Sequence, residues 1–559
     1  MKKIYLFLCS ALLCSTTALA QGFDAGGLIV DPSSISAFDM FNTSTTQFNF
    51  GTARSAALAG AMTSLGGDAS CMSINPAGIG MYRSNEITIS PMMTFARAKT
   101  NAAPFEGNSS NRFGIGNFGM VAKLRESATG ITAINMGLSY NRIADFNYCY
   151  SFSTAGAAGN SSIADVFAGQ LAAEGITSSQ LKGIGYIDGY NCFNGKYGEK
   201  LLDLRNYDPT YWGAILGYKT GLVYDKDGVW GRDMIADNAA VDSFTAVESK
   251  GSAGEWVWSL GLNFGSKFYL GFSLGAATIN REQHIYYGEG YHYTGEPALN
   301  YRADYFNYDQ VSKMKGTGVN FKLGAIYRPI EALRIGVAFH TPTYYNITYS
   351  FQSGMTSQVK VLNNVDDYPV NSKGYIDPAF SETTIKLVDD GDYSWTYTTP
   401  TRLLFGASYT IAKCVVLTAD YERDWYNTMR MKDSPYGALY KGYIKEAFKG
   451  SNTARLGVEY RFIPQMAVRV GYGHWSGALR DNEAIYSTPV VYKTNYVGAG
   501  FGVALSQHFS IDVAYQYCAN HLTPYKTFYG YDDTIDIASP TFNTKIARHN
   551  AMLTMAIHF

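Results

Sequence analysis

Charge and proline are scarce in this chain. Of 559 residues only 16 are proline, and charged residues make up 16%. Soluble domains usually carry about a quarter charged residues. The charges nearly cancel, at a net of −1, which removes the electrostatic case for a nucleic-acid partner. Beyond residue 20 there is no run of about 18 apolar residues, so no helix is expected to cross a membrane. Cysteine is sparse too, 7 in all. Five lie beyond residue 20: Cys71, Cys149, Cys192, Cys414 and Cys518. Their spacing holds no metal. Cys149 and Cys192 fall in one long loop and are a candidate pair in an oxidising compartment. The 8 histidines are scattered, with no helical pair and no HExxH. Nothing here calls for an enzyme, a metal or a cofactor.

What the chain has is tyrosine (44), glycine (57) and a period of two. Phe509, Ile511, Val513, Tyr515 and Tyr517 alternate with Ser510, Asp512, Ala514 and Gln516. Leu456, Val458, Tyr460 and Phe462 alternate with Arg455, Gly457, Glu459 and Arg461. Val319, Phe321 and Leu323 alternate with Asn320, Lys322 and Gly324. Such alternation sets an apolar face against a polar one. A soluble sheet shows it as well. Here, however, the apolar faces end in Tyr, Trp and Phe, as aromatic girdles do, while the other faces carry charge, as a lumen does.

About fourteen such stretches can be placed, with boundaries good to a few residues: 85–98, 112–125, 130–145, 254–266, 267–286, 315–329, 331–352, 395–412, 413–430, 451–463, 464–478, 490–506, 507–521 and 546–559. Short connections (Arg125 to Gly130, Gly265-Ser266, Arg328 to Glu331, Ala412-Lys413, Phe462 to Gln465, Ser506-Gln507) alternate with long ones (99–111, 146–253, 287–314, 353–394, 431–450, 479–489, 522–545). Short turns on one side and long loops on the other predict an all-β fold, a transmembrane antiparallel β-barrel. The barrel would span 85–559. Within its longest loop, 146–253, residues Ile163 to Leu181 have helical periodicity and many tyrosines follow. That loop reads equally as an external lid and as a self-packed cap.

Residues 1–20 read as a secretory signal. Lys2 and Lys3 precede an apolar run, and Ala18-Leu19-Ala20 is a cleavage site. Residues 21–84 then form an extension and a hatch. The stretch Ala53 to Gly80 carries ARSAALAGAMTSLGGDAS and, further on, NPAG. Small residues pack closely, Asp68 is placed to cap a short element, and Asn75-Pro76-Ala77-Gly78 is a tight turn.

This stretch resembles the N-terminal hatch of the FadL-type outer-membrane transporters, which carry long-chain fatty acids and aromatic hydrocarbons. The resemblance implies a hatch of short helices inside the barrel. It also implies capture of a hydrophobic small molecule at outer loops and passage to the outer-membrane lipid, beneath lipopolysaccharide. Asn75, Pro76, Ala77 and Gly78 are the hatch and gating positions it carries over. Phe48, Phe50, Leu58, Met62 and Leu65 are candidates for a ligand pocket, or else hatch packing. The segment Gln21 to Phe50 is extra: in that family the mature N-terminus itself lies near the ligand. The last strand, ending on Phe559, resembles the signal read by the outer-membrane barrel assembly machinery. The alternative reading is a structural or adhesive barrel with a sealed lumen.

Two motifs are discounted. Gly114-Ile-Gly116-Asn-Phe-Gly119 matches a dinucleotide fingerprint but opens no helix. Gly271-Phe-Ser273-Leu-Gly275 matches a nucleophile elbow but lies in mid-strand.

Overall fold

The computed structural model describes residues 51–559 apart from 101–108, 128–129, 156–161, 294–300, 363–381, 387–393, 433–436, 481–492, 522–524, 527–540, a few positions between 192 and 238, and 543. The signal, the extension before residue 51, Phe48, Phe50 and Cys192 therefore lie outside the described residues.

Fourteen strands build the wall among the described residues. They are β1 (Glu86–Thr100), β2 (Ser109–Glu126), β3 (Ile131–Asp145), β4 (Ala240–Phe264), β5 (Phe268–His292), β6 (Tyr301–Ile330) and β7 (Leu333–His340). The ring continues with β8 (Arg402–Ile411), β9 (Val415–Trp425), β10 (Gly450–Ile463), β11 (Met466–Trp475), β12 (Thr494–Ala504), β13 (Phe509–His521) and β14 (Thr544–His558). After a break, Tyr148–Thr154 prolongs β3, Tyr344–Val361 prolongs β7, and Arg430–Lys432 prolongs β9, while Ser394–Thr398 leads into β8. Neighbours in sequence pair antiparallel, and β14 pairs with β1 from Glu86↔His558 to Thr100↔Thr544. The sheet is thus closed. The Asn85 N–H donates to the Phe559 carbonyl at 3.0 Å across the seam.

The short turns fall where the sequence puts them. Gly265-Ser266 and Ala412-Lys413 have positive φ at both residues, 59° and 56°, 48° and 60°. That is the hairpin geometry matched to strand twist. On the wall, Leu456 is 59% exposed while Glu459, three residues on, is 1% exposed. Apolar side chains face out and charged ones face in. Only lipid makes that arrangement favourable, so the barrel spans a membrane. Phe264 and Phe268 flank the turn at the inner rim. Trp256, about eight residues up β4, packs on Tyr140 with ring centroids 5.4 Å apart. At about 3.3 Å per residue and a tilt near 40°, the two aromatic levels are roughly 20 Å apart in height.

The wall does not stop there. β4, β5 and β6 have 25, 25 and 30 residues, so β6 runs about 100 Å, several times what a crossing needs. The loop read at 287–314 is therefore largely strand, and so is the end of the 146–253 loop. Beyond Gly254 the outer face turns polar at Ser252, Lys250, Glu248 and Asp242. The lipid-facing alternation ends, although the pairing does not.

Inside the ring lie α1 (Ala53–Ala57), α2 (Cys71–Ile74) and the 3-10 turn Pro76–Met81. The large outer loop folds inward as α3 (Ile163–Ala173), α4 (Ser178–Lys182) and α5 (Trp212–Lys219). The single helical run expected over 163–181 is broken at Gly175, whose φ is 62°. A second capping box, at Thr177, then starts α4. These helices, Trp212 of α5 among their side chains, share one core with inner-face residues of the prolonged wall such as Tyr287, Phe306, Tyr345 and Tyr397. The loop is a packed cap in the outer mouth.

Candidate functional site

The hatch is built from small residues because backbone must lie against backbone. Ala53, Ala56, Ala57, Leu58 and Ala59 are fully buried. Thr52 caps α1, accepting from the Ser55 N–H at 3.2 Å, and its hydroxyl donates to Asp68 at 2.8 Å. Asp68 also accepts from the Ser70 N–H at 2.9 Å at the start of α2. The two ends of the hatch are thereby tied together.

Asn75 is the central tie. Its Oδ1 accepts from the Ala77 N–H at 3.1 Å, closing the turn. Its Nδ2 donates to the Thr63 carbonyl at 2.6 Å and lies 3.3 Å from the Ala325 and Val337 carbonyls of the wall. Pro76 starts the 3-10 turn, where a missing N–H costs nothing. A Cβ on Gly78 would come within 2.8 Å of the Cys71 Cβ and 2.9 Å of the Gly66 Cα. Leu58, Met62 and Leu65 pack with Cys71, Ile74, Ala338 and Leu404 between hatch and wall.

The wall supplies a matching socket. Polar side chains from β3, β5, β7 and β9 reach hatch backbone. Asn135 Nδ2 donates to the Ile79 and Tyr82 carbonyls at 2.8 and 3.0 Å. Ser273 Oγ donates to the Met72 carbonyl at 3.0 Å. His340 Nε2 meets the Ile74 carbonyl at 2.8 Å. Thr418 donates to the Ala61 carbonyl at 3.0 Å, and Asp420 accepts from the Thr63 N–H at 2.8 Å. Charge joins in: Arg54 of α1 donates to Glu459 at 2.9 Å, which Arg469 also reaches at 2.8 Å. Glu255, paired with Lys322, accepts from hatch Ser73 at 3.1 Å.

Glycines complete the socket. At Gly324, Gly336, Gly406, Gly471 and Gly498 a Cβ would collide with Asn75, Thr63, Ser64, Leu58 or the Ala56 carbonyl. Sequence reasoning found the hatch but not its receptor. The signal was there as glycine at inward positions of alternating strands, yet glycine in a strand has several explanations. Gly271 and Ser273, discounted as an elbow, are in fact hatch contacts.

Among the described residues the wall has one open seam. β2 pairs with β3 only from Asn117↔Asn141 to Glu126↔Ala133. β2 continues outward along β1 as far as Arg97↔Ser109. β3 shifts register after Arg142, breaks at Phe146-Asn147, and its prolongation Tyr148–Thr154 pairs with β4. Residues 109–116 of β2 thus have no ladder partner on that side. Phe113 and Ile115 are exposed there, Phe113 at 68%. Side chains bridge the seam instead. The Arg142 guanidinium lies where a Cβ on Gly114 would be, 2.8 Å away. Arg112 NH1 of β2 donates across the seam to Asn147 at 2.7 Å, while Arg142 NH1 donates to Asp145 of its own strand at 3.1 Å.

No family model matches the chain, and no curated protein matches it. Solved structures do resemble it. The Ralstonia pickettii toluene transporter TbuX aligns over 93% of this chain and 100% of its own, at 14% identity and a TM-score of 0.47. The P. putida toluene transporter TodX aligns over 91% and 98%, at 11% identity and a TM-score of 0.46. A Pseudomonas aeruginosa FadL homologue aligns over 91% and 98%, at 12% identity and a TM-score of 0.45.

Proposed function

We propose that this chain is a passive outer-membrane transporter for hydrophobic small molecules, long-chain fatty acids or aromatic hydrocarbons, which leave sideways through the seam between β2 and β3. The unpaired stretch 109–116 of β2 is the observation that carries the reading. An edge left unpaired at the outer aromatic level, with apolar Phe113 and Ile115 exposed beside it, is costly wherever water is excluded, so a wall retains one only where something uses it. The hatch supports the same route. It is tied to the wall on several sides, which makes straight passage to the periplasmic end the harder path. Transfer into lipid drives the step at about 0.8 kcal/mol per CH₂ group, so no energy source is required. Asn75 anchors the hatch, and Leu58, Met62 and Leu65 mark the floor beneath the cargo.

The test is uptake of a labelled long-chain fatty acid, and then toluene, by a Gram-negative strain lacking its own transporter. The native chain is compared with Gly114→Trp and Asn75→Ala at matched surface level. Gly114→Trp fills the seam, where the atoms to be displaced are the movable end of Arg142. Native uptake abolished by Gly114→Trp is the expected result. Equal uptake by both would sink lateral release. A second reading, a sealed structural barrel, draws on the packed cap core; inserted native protein that takes up neither compound would favour it.

A further inference from the structure

The short turns carry a charge pattern that transport does not use. Arg125, Lys267, Arg328, Lys413 and Arg461 stand at five turns of the inner rim, from β2–β3 around to β10–β11. Arg328 is half-buried and the other four are exposed. Each lies within two residues of an exposed apolar side chain of the lipid-facing wall: Leu124, Phe268, Tyr327, Ile411 or Phe462. Carboxylates are few at this end. Among the described residues these turns expose only Glu126 and Glu331, and Lys123 holds Glu126 at 2.9 Å. Arg125, Lys267 and Lys413 make no ion pair among the described residues. Arg328 Nε donates to the Glu331 carbonyl at 3.2 Å, not to its carboxylate. Arg461 shares the single carboxylate of Glu459 with Arg54 and Arg469. The prolonged wall at the other end is built differently: Lys250 has Glu248 at 2.8 Å, and Lys313 has Glu282 at 3.3 Å.

Water solvates an exposed lysine, so one such residue in a turn means little. Repetition on five turns, at one height and against an apolar band, needs a cause. That height is the boundary between the hydrocarbon and the head groups of the periplasmic leaflet. There the long stems lie along apolar surface while their charged ends reach the phosphate level. We propose that this ring is a docking surface for anionic phospholipids of the periplasmic leaflet, whose phosphate oxygens supply the partners that the turns lack. The arginines take a phosphate with two parallel donors, and the lysines act as point charges. Screening limits the attraction to about 8–10 Å, far less than the thickness of the hydrocarbon, so the ring selects lipid in one leaflet only. It holds the barrel at a fixed height and gives its inner annulus a composition of its own. The surface stands or falls independently of lateral transport.

The test uses the full-length barrel reconstituted in phosphatidylcholine vesicles. Spin-labelled phosphatidylglycerol and spin-labelled phosphatidylcholine are added in turn, and the motionally restricted fraction of each is measured. The native protein is expected to prefer phosphatidylglycerol by about threefold or more at low salt, and the preference should shrink as salt is raised. Changing Arg125, Lys267, Arg328 and Lys413 together to Gln is expected to bring the ratio near one. Lys250→Gln with Lys313→Gln, on the prolonged wall, should keep the native ratio. All variants are first checked for the heat-modifiable gel mobility of a folded barrel. Should the fourfold variant not fold, Lys267→Gln with Lys413→Gln takes its place and is expected to lose part of the preference. A native ratio near one overturns the proposal, as does an undiminished ratio in the rim variant. Equal loss in the Lys250 and Lys313 variant would assign the effect to overall charge and overturn it too.

Discussion

Replacing Gly471 by alanine should prise the hatch from its socket. A Cβ there would lie 2.8 Å from the Leu58 Cα and 2.5 Å from the Ala59 N. Ordinary contact begins near 3.4 Å, and these are backbone atoms that cannot rotate aside. The hatch must shift by roughly 1 Å, a typical overpacking cost of about 1–3 kcal/mol. That shift also strains the nearby bonds from Thr418 to the Ala61 carbonyl and from the Thr63 N–H to Asp420. The population of displaced hatch should rise by roughly 5- to 150-fold. Cys71 reports it. Its side chain is fully buried in the hatch core, and burial pushes its thiol well above the usual range, so it reacts only after displacement. The assay is maleimide labelling of Cys71 in a background lacking the other cysteines, on barrels reconstituted in lipid. Gly442→Ala, where a Cβ meets nothing within 4 Å, is the control and should label at the native rate. A folded Gly471→Ala barrel that labels no faster than native refutes the socket argument.

Three further outcomes are expected. Ala412 and Lys413 hold left-handed backbone without being glycine, at about 1–2 kcal/mol each; Ala412→Asn with Lys413→Gly should therefore raise the urea midpoint of the barrel in lipid, and an unchanged midpoint would contradict the strain. Glu255→Gln or Lys322→Met alone should each cost about 3–5 kcal/mol by leaving a buried charge unpaired, whereas the double change recovers most of it; thermal unfolding of the four proteins reads the cycle, and simple additivity would count against the pairing. Trp212→Ala removes the largest fully buried side chain of the cap, a loss of about 3–5 kcal/mol; hydrogen exchange should rise in α3 and α5 while the wall below stays protected, and uniform loosening would show that cap and barrel unfold as one.

Much of this wall is legible in its sequence because lipid imposes a simple rule. Wherever a strand crosses, one residue in two is apolar, and the turn ends it with residues such as Gly265-Ser266. Both signals are local, so strand count and loop sorting follow from reading along the chain. The rule lapses above the membrane. The outer face of β4 at Asp242, Glu248 and Lys250 carries no lipid signature, and the long prolongations there read as loop. Asn75 could be singled out because its turn is a contiguous motif. Its receptors could not: Asp420, His340 and Gly336 are hundreds of residues away and meaningful only once the ring is closed. Arg142 is the same case. In sequence it is one charge near a strand end, and only the register of three strands places it in a seam.

The closing pair of strands has a consequence for how the protein is made. β1 and β14 meet over a sequence separation of roughly 470 residues, about as non-local as a contact in this chain can be, so their zipping is expected to be late and slow. The hatch touches β14 directly, where the Ala53 N–H donates to Thr554 at 2.7 Å. A body gripped by glycines on so many strands is seated with least obstruction before the ring closes, so the barrel is expected to be assembled around its own stopper.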